Sequence, residues 1–152
     1  GFELALAADI IVIADHAEVW LPEVFVGVIG DSACFQLTRR MPRSIAMEML
    51  LTGRRMKAKE GVRLGLFNAS VPRIKLMEKA REYAKLMVSA APLAIAATIE
   101  TTRMTETMTI EECYKNIKRK RFPAFSKMLD SDDAKEGPKA FAEKRSPIWK
   151  GK

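Results

Sequence analysis

The chain is 152 residues long, 48 % apolar and 30 % charged, with a formal net charge of +7. That apolar content supports a packed core and excludes an intrinsically disordered chain, and no apolar run reaches the length of a bilayer span. The basic excess suits an anionic partner, whether nucleic acid, acidic lipid or a phosphate-bearing cofactor, without choosing among them.

In chain order, Glu3 to Ala8 reads as a helix segment apolar on nearly all sides, ended by Asp9. Ile10 to Ile13 is a continuous β-branched run, the pattern of a strand buried on both faces. The segment Ala14-Asp15-His16-Ala17 is a turn, which places the single histidine in solvent. Val19-Trp20-Leu21 is a second short strand, stopped by Pro22. Pro42 and Ser44 introduce a helix through Leu51, with Gly53 as its stop. Ala58 to Leu64 is a short helix ended by Gly65, and Phe67 to Val71 is one more strand before Pro72.

From Ile74 to Ser89, Leu76, Ala80, Ala84 and Met87 share a face at helical spacing. Pro92 starts a helix of Leu, Ala and Ile. Thr109 and Glu112 are spaced as a capping box, hydroxyl and carboxylate each satisfying an end amide. Ile110, Cys113, Tyr114 and Ile117 then form one apolar stripe, and Asp132 with Asp133 favours a last helix start. Residues 1–91 thus read as α/β and residues 92–152 as a helical region with apolar faces that need a partner, which points to oligomerisation. The basic run Lys115 to Arg121 shares a helix with the apolar stripe and reads as its solvated outer face. No stacking platform for bases accompanies it, so nucleic acid is not the expected partner.

Two cysteines far apart, Cys34 and Cys113, fit unlinked thiols in a reducing compartment, hence a cytoplasmic protein, and neither belongs to a metal-ligand pattern. Cys34 has no histidine or base in its neighbourhood and reads as a packed thiol. Glu3 and Glu23 are acids in apolar surroundings. A buried carboxylate must be neutralised, paired or used. Two of them tuned apart would serve the addition or removal of water across a double bond, one activating the water and the other exchanging the carbon-bound proton. From spacing alone the signal is weak, and a reading as capping or salt-bridged acids is the more favoured one.

Four ordered stretches together carry a family resemblance. Gly1-Phe2-Glu3-Leu4-Ala5-Leu6-Ala7-Ala8-Asp9 resembles the end of the crotonase-family pattern of glycines followed by x-E-L-A-L-A-x-D. Pro22-Glu23 through Gly27 resembles its second signature, P-E-x-x-x-G. Leu51-Thr52-Gly53-Arg54 with Ala58 through Gly65-Leu66 resembles the block beginning L-T-G. Glu136-Gly137 with Phe141-Ala142-Glu143-Lys144-Arg145 resembles the closing E-G-x-x-A-F-x-E-K-R signature. Asp31 and Ser32 match the dehydratase-like version of the turn after Gly27, whereas Ala33 and Cys34 stand where the family usually has two glycines, so that turn is expected to be altered.

The resemblance implies an α/β fold, a crotonase-like ββα spiral core truncated at its N-terminus, with a helical C-terminal region. It implies an enoyl-CoA hydratase or dehydratase with Glu3 and Glu23 as the catalytic pair. Gly1, Gly27, Phe125, Phe141 and Lys144 would be substrate-binding, the last three around the nucleotide end of coenzyme A. No metal and no cofactor beyond the coenzyme A of the substrate are expected. Trimers or dimers of trimers are the implied assembly. The family stabilises its thioester enolate with two backbone amides that lie upstream of Gly1, and the abrupt start without Met fits a fragment. An isomerase of the same family, or a catalytically inactive assembly module, are the alternative readings.

Overall fold

The computed structural model describes all of residues 1–152 and divides into two compact units, Gly1–Glu82 and Tyr83–Lys152. The division falls inside a helix, nine residues before the expected boundary at Ala91/Pro92. Within the second unit one tie joins this helix to the tail. The indole N–H of Trp149 donates to the carbonyl of Ser89 at 2.9 Å, fastening that helix's end to the C-terminal tail.

The first unit opens with α1 (Phe2–Leu6), β1 (Val12–Ala14) and β2 (Glu18–Val19). A turn of 3-10 helix, Glu23–Val26, leads to α2 (Asp31–Arg40) and α3 (Arg43–Thr52), then β3 (Met56–Lys57), α4 (Ala58–Arg63) and β4 (Ala69–Val71). β1 pairs in parallel with β4, Val12 opposite Ala69 and Ala14 opposite Val71. Parallel pairing needs a long crossover, and here α2, α3 and α4 lie within it. Asn68 lengthens the ladder: its Oδ1 accepts from Ile11 N and its own N–H donates to Ile11 O, both at 2.8 Å. β2 pairs antiparallel with β3, Glu18 opposite Lys57.

Three expectations for this unit need correction. The run Ile10 to Ile13 is not a strand buried on both faces. The strand begins at Val12, Ile10 is exposed, and Val12 and Ile13 are half-buried at the wall of a cleft. β1 has one strand neighbour, so one of its edges is left without a ladder. Trp20 and Leu21 likewise fall outside β2, because pairing with Met56–Lys57 ends at Val19. The segment read as an altered glycine turn is the first turn of α2, where Ala33 and Leu37, four residues apart, are fully buried.

The core of the unit is built from Leu6, Leu21, Leu37, Met49, Met56 and Phe67. Gly53 ends α3 in the left-handed region at φ +58. A Cβ there would stand 2.6 Å from the ring of Phe25, so both backbone and space require glycine.

α5 (Leu76–Val88) follows a 3-10 turn, Arg73–Lys75, and none of its residues is buried. The second unit holds α6 (Pro92–Thr105), α7 (Ile110–Lys118), α8 (Pro123–Leu129) and α9 (Asp132–Ala142). α6 packs on α8, and Glu100 of α6 closes the start of α8 by accepting from Ala124 N at 2.8 Å. Thr109 and Glu112 form the expected capping box. Ser131 caps α9. The tail then lies back on α9. Asp133, almost fully buried, accepts from Lys150 N and Gly151 N at 2.7 and 2.9 Å. Glu136 takes Arg145 in a two-pronged ion pair, 2.6 and 3.0 Å, and also accepts from Ile148 N. No single helix is long and apolar enough to cross a membrane.

Candidate active site

Glu3 sits on the first turn of α1, and Glu23 opens the 3-10 turn that Pro22 forces at the end of the preceding segment. Both line one cleft of about 520 Å³, together with Gly1, Phe2, Trp20 and Leu21. The sequence separates the two acids by a strand, a turn and a second strand, and the fold returns them to one wall.

Their environments differ. Glu3 Oε1 accepts from Ala33 N at 2.9 Å and from Ser32 Oγ at 3.1 Å. These donors come from the first turn of α2, where amides lack helical partners. The Ala33 amide, aided by the Ser32 hydroxyl, holds the Glu3 carboxyl below the ordinary carboxylate range against a partial desolvation that works the other way. Glu3 is therefore an oriented carboxylate with one oxygen engaged. Glu23 is half-buried, and its Oε2 is sealed from solvent without a hydrogen-bond partner. A buried oxygen left bare is costly unless a ligand or water satisfies it. The capping reading therefore holds for Glu3, which accepts from a free amide at the start of α2, and not for Glu23, whose Oε2 has no partner.

Gly30 brings the cleft wall together. It is buried just before α2, and a Cβ on it would meet Ala33 Cβ at 3.2 Å, Glu3 Oε1 at 3.5 Å and Leu21 Cδ2 at 3.6 Å. Ala33, standing where a glycine was expected, donates the shorter bond to Glu3. Trp20 adds a feature the motifs did not signal. Its ring carries the Arg55 guanidinium at 4.0 Å, and Arg55 also reaches Glu18 at 3.7 Å. An aromatic next to a Pro-Glu pair and an arginine after Gly53 were visible in sequence, but their contact depends on the β2–β3 pairing.

The other expected site residues are placed as follows. Gly1 lines the cleft. Gly27 does not: it ends the 3-10 turn at φ +78 and is exposed, its N–H donating to Glu23 O. It shapes the turn that presents Glu23. Phe125, Phe141 and Lys144 all belong to the second unit. Phe125 is half-buried in a groove beside Thr98, Thr101 and Met128. Phe141 is 87 % exposed, and Lys144, in a left-handed conformation, closes the same turn by donating its N–H to Phe141 O. In the L-T-G block, Arg54 grips Glu60 through two bonds of 2.8 and 3.2 Å, so these motif residues brace α3 against α4. In the closing signature, Glu136 and Arg145 are the pair that holds the tail.

Two unlike carboxylates thus share one cleft wall of an α/β unit. The chain belongs to the enoyl-CoA hydratase/isomerase family, whose profile matches residues 1–152. It is 50 % identical over 153 residues to the carnitinyl-CoA dehydratase of Citrobacter koseri and 49 % identical to that of Salmonella typhi. Both matches cover 100 % of this chain and 59 % of the relative, so the chain spans about three-fifths of their length. Among solved structures it is similar to an enoyl-CoA hydratase from Bacillus anthracis, with a TM-score of 0.90 and 31 % identity over 100 % of this chain and 58 % of that one. An enoyl-CoA hydratase from Mycobacterium tuberculosis gives a TM-score of 0.89 and 34 % identity over 99 % and 59 %. The crotonase-like α/β reading therefore holds.

Proposed function

We propose that this chain supplies the acid–base residues of a hydro-lyase that adds water to, or removes it from, an acyl-coenzyme A thioester. The observation that carries the reading is the single cleft wall shared by an oriented carboxylate, Glu3, and a carboxyl with a bare buried oxygen, Glu23. In the hydration direction, Glu3 takes a proton from water as the water oxygen bonds to Cβ. The C=C electron pair shifts toward Cα, and Glu23 delivers a proton there. Dehydration runs the same steps backwards. Carnitinyl-CoA would lose its β-hydroxyl in this way to give crotonobetainyl-CoA. The chemistry is proton transfer and draws on no cofactor beyond the coenzyme A of the substrate.

Phe141 and Lys144 are the residues we assign to the nucleotide end of coenzyme A, the bare ring for stacking and the ammonium for phosphate, together with Phe125 of the same unit. Exposed apolar residues on α5 and α7, among them Leu86, Val88, Ile110 and Tyr114, support self-association as trimers or paired trimers. Two unpaired thiols fit work in the cytoplasm.

The test uses the full-length protein in a spectrophotometric assay of hydration of crotonobetainyl-CoA and of straight-chain enoyl-CoA thioesters. Glu3→Gln and Glu23→Gln should each lower kcat by about 10²–10⁴-fold, the usual worth of such groups. Isomerisation without hydration in the unaltered protein would favour the family's isomerase chemistry. Near-unaltered rates in either variant would remove that residue from the mechanism.

A further inference from the structure

The two carboxyls of the cleft are held in different ways. Ala33 N and Ser32 Oγ fix the Glu3 carboxylate, whereas no hydrogen bond orients Glu23 Oε2. The place of Glu23 in the cleft is therefore set by its backbone, the 3-10 turn Glu23–Val26. That turn is tied within itself. Phe25 N donates to Pro22 O at 2.9 Å, and Gly27 N and Val28 N both donate to Glu23 O. These bonds shape the turn without attaching it to a neighbouring element. An attachment exists at the end of α3, which packs on the turn. A Cβ built on Gly53 would lie 2.6 Å from Phe25 Cε2 and 3.4 Å from Leu21 O. The glycine thus leaves a notch, and the two walls of that notch come from the residues two positions before and two positions after Glu23.

We propose that Phe25, seated in the notch at Gly53, is the positioning residue for Glu23, holding the turn where its carboxyl faces the reacting carbon. The inference rests on the hydro-lyase reading, which makes Glu23 the group that delivers a proton to Cα. Phe25 is 71 % exposed and lies outside the buried core, so its ring is placed by the turn and the notch and not by the core. A side chain at Gly53 must push that ring out or move the Leu21 carbonyl, and either displaces a neighbour of Glu23. A shift of about 1 Å in a reacting group costs on the order of 10²-fold in rate. Gly65 supplies the comparison. It follows the end of α4 as Gly53 follows the end of α3, and its φ of +79 is left-handed too, yet a Cβ there meets nothing within 4 Å. Alanine at Gly65 carries the backbone cost alone. Alanine at Gly53 carries that cost and fills the notch.

Hydration of crotonyl-CoA by the full-length protein tests the assignment. Phe25→Ala and Gly53→Ala should each lower kcat by roughly 10- to 100-fold and leave KM nearly unchanged. The double variant should be no slower than the slower single one, because both substitutions remove the same contact. In a Glu23→Gln background neither should lower kcat further, since the group they position is gone. Gly65→Ala should keep its kcat while losing stability to denaturant as Gly53→Ala does. Losses that multiply in the double variant, an undiminished loss in the Glu23→Gln background, or a loss at Gly65 equal to that at Gly53 would each overturn the proposal. If Gly53→Ala does not fold, Phe25→Ala alone and combined with Glu23→Gln decides the matter. Unaltered kcat in Phe25→Ala beside a large loss in Glu23→Gln rejects the positioning role and leaves the hydro-lyase reading in place. Unaltered kcat in Glu23→Gln faults that reading, and the positioning role falls with it.

Discussion

At the scale of single residues, the Glu3 carboxylate depends on two donors of unequal weight. Ala33 contributes a backbone amide that only proline would remove, while Ser32 contributes a hydroxyl that alanine removes. Both hold the Glu3 pKa down, so the group remains an ionised base to lower pH than an unperturbed glutamate would. If Glu3 is the base, the acid limb of kcat/KM lies below the ordinary carboxylate range. Ser32→Ala should shift that limb upward and leave the alkaline side in place, as measured on a pH–rate profile of the full-length protein. A limb that stays where it was would mean that another group governs it. The bond between Glu3 and Ala33 joins residues thirty positions apart, and no local pattern announces such a contact. The motifs indicated that Glu3 and Glu23 mattered. They could not show which oxygen would be engaged and which left bare.

At the scale of elements, what was legible was what is local. The box of Thr109 and Glu112 needs only neighbouring residues, and the helix begins where the spacing placed it. Thr109→Ala should cost about 1 kcal/mol of stability, within the range for lost caps, as read from denaturant unfolding with an unchanged m-value. The start of α2 was missed for the opposite reason. Glycines expected there suggested a turn, yet the burial of Ala33 and Leu37 one helical turn apart decides the conformation, and burial is a property of the packed unit. The β-branched run at Ile10 misled in the same way, since it signals strand affinity but not how many neighbours the strand will find.

The tail's attachment to α9 is an element-scale device with a pH dependence. Arg145, and then the Ile148 amide, hold the Glu136 pKa at about 2, below its ordinary value of 4.5. A carboxylate lowered in this way stabilises the folded form above its unfolded pKa, and that contribution is lost as pH falls toward about 2. Cleavage of the tail by pepsin should therefore accelerate between pH 4.5 and pH 2. Glu136→Gln should show rapid cleavage throughout and lose most of that acid dependence. Glu136 is half-buried and its partners Arg145 and Ile148 both lie in the tail, so the effect is confined to the tail and should leave the rest of the unit folded.

At the scale of the whole molecule, the division at Glu82/Tyr83 and the exposed apolar residues of α5 and α7 point the same way. A helix such as α5, with no residue buried, gains little from its own chain, since most helical stability in proteins comes from packing an apolar face. The sequence shows the apolar stripe and cannot show what covers it. If a second copy does, sedimentation of the full-length protein should report a mass several times that of one chain, and Leu86→Glu with Val88→Glu should shift the population toward smaller species. A monomer at micromolar concentration in the unaltered protein would assign those faces to other surroundings.

The chain has two tryptophans, and the fold gives one to each unit. Trp20 stands at the cleft under the Arg55 guanidinium, and Trp149 is pinned in the tail by its bond to Ser89. The protein is thus divided into two optical channels. With Trp149→Phe, intrinsic fluorescence comes from the cleft alone and reports thioester binding as it disturbs the indole–guanidinium stack. With Trp20→Phe, the remaining emission follows the release of the tail in acid. Occupancy of one unit and loosening of the other can then be timed separately, in the same cuvette and without an added dye.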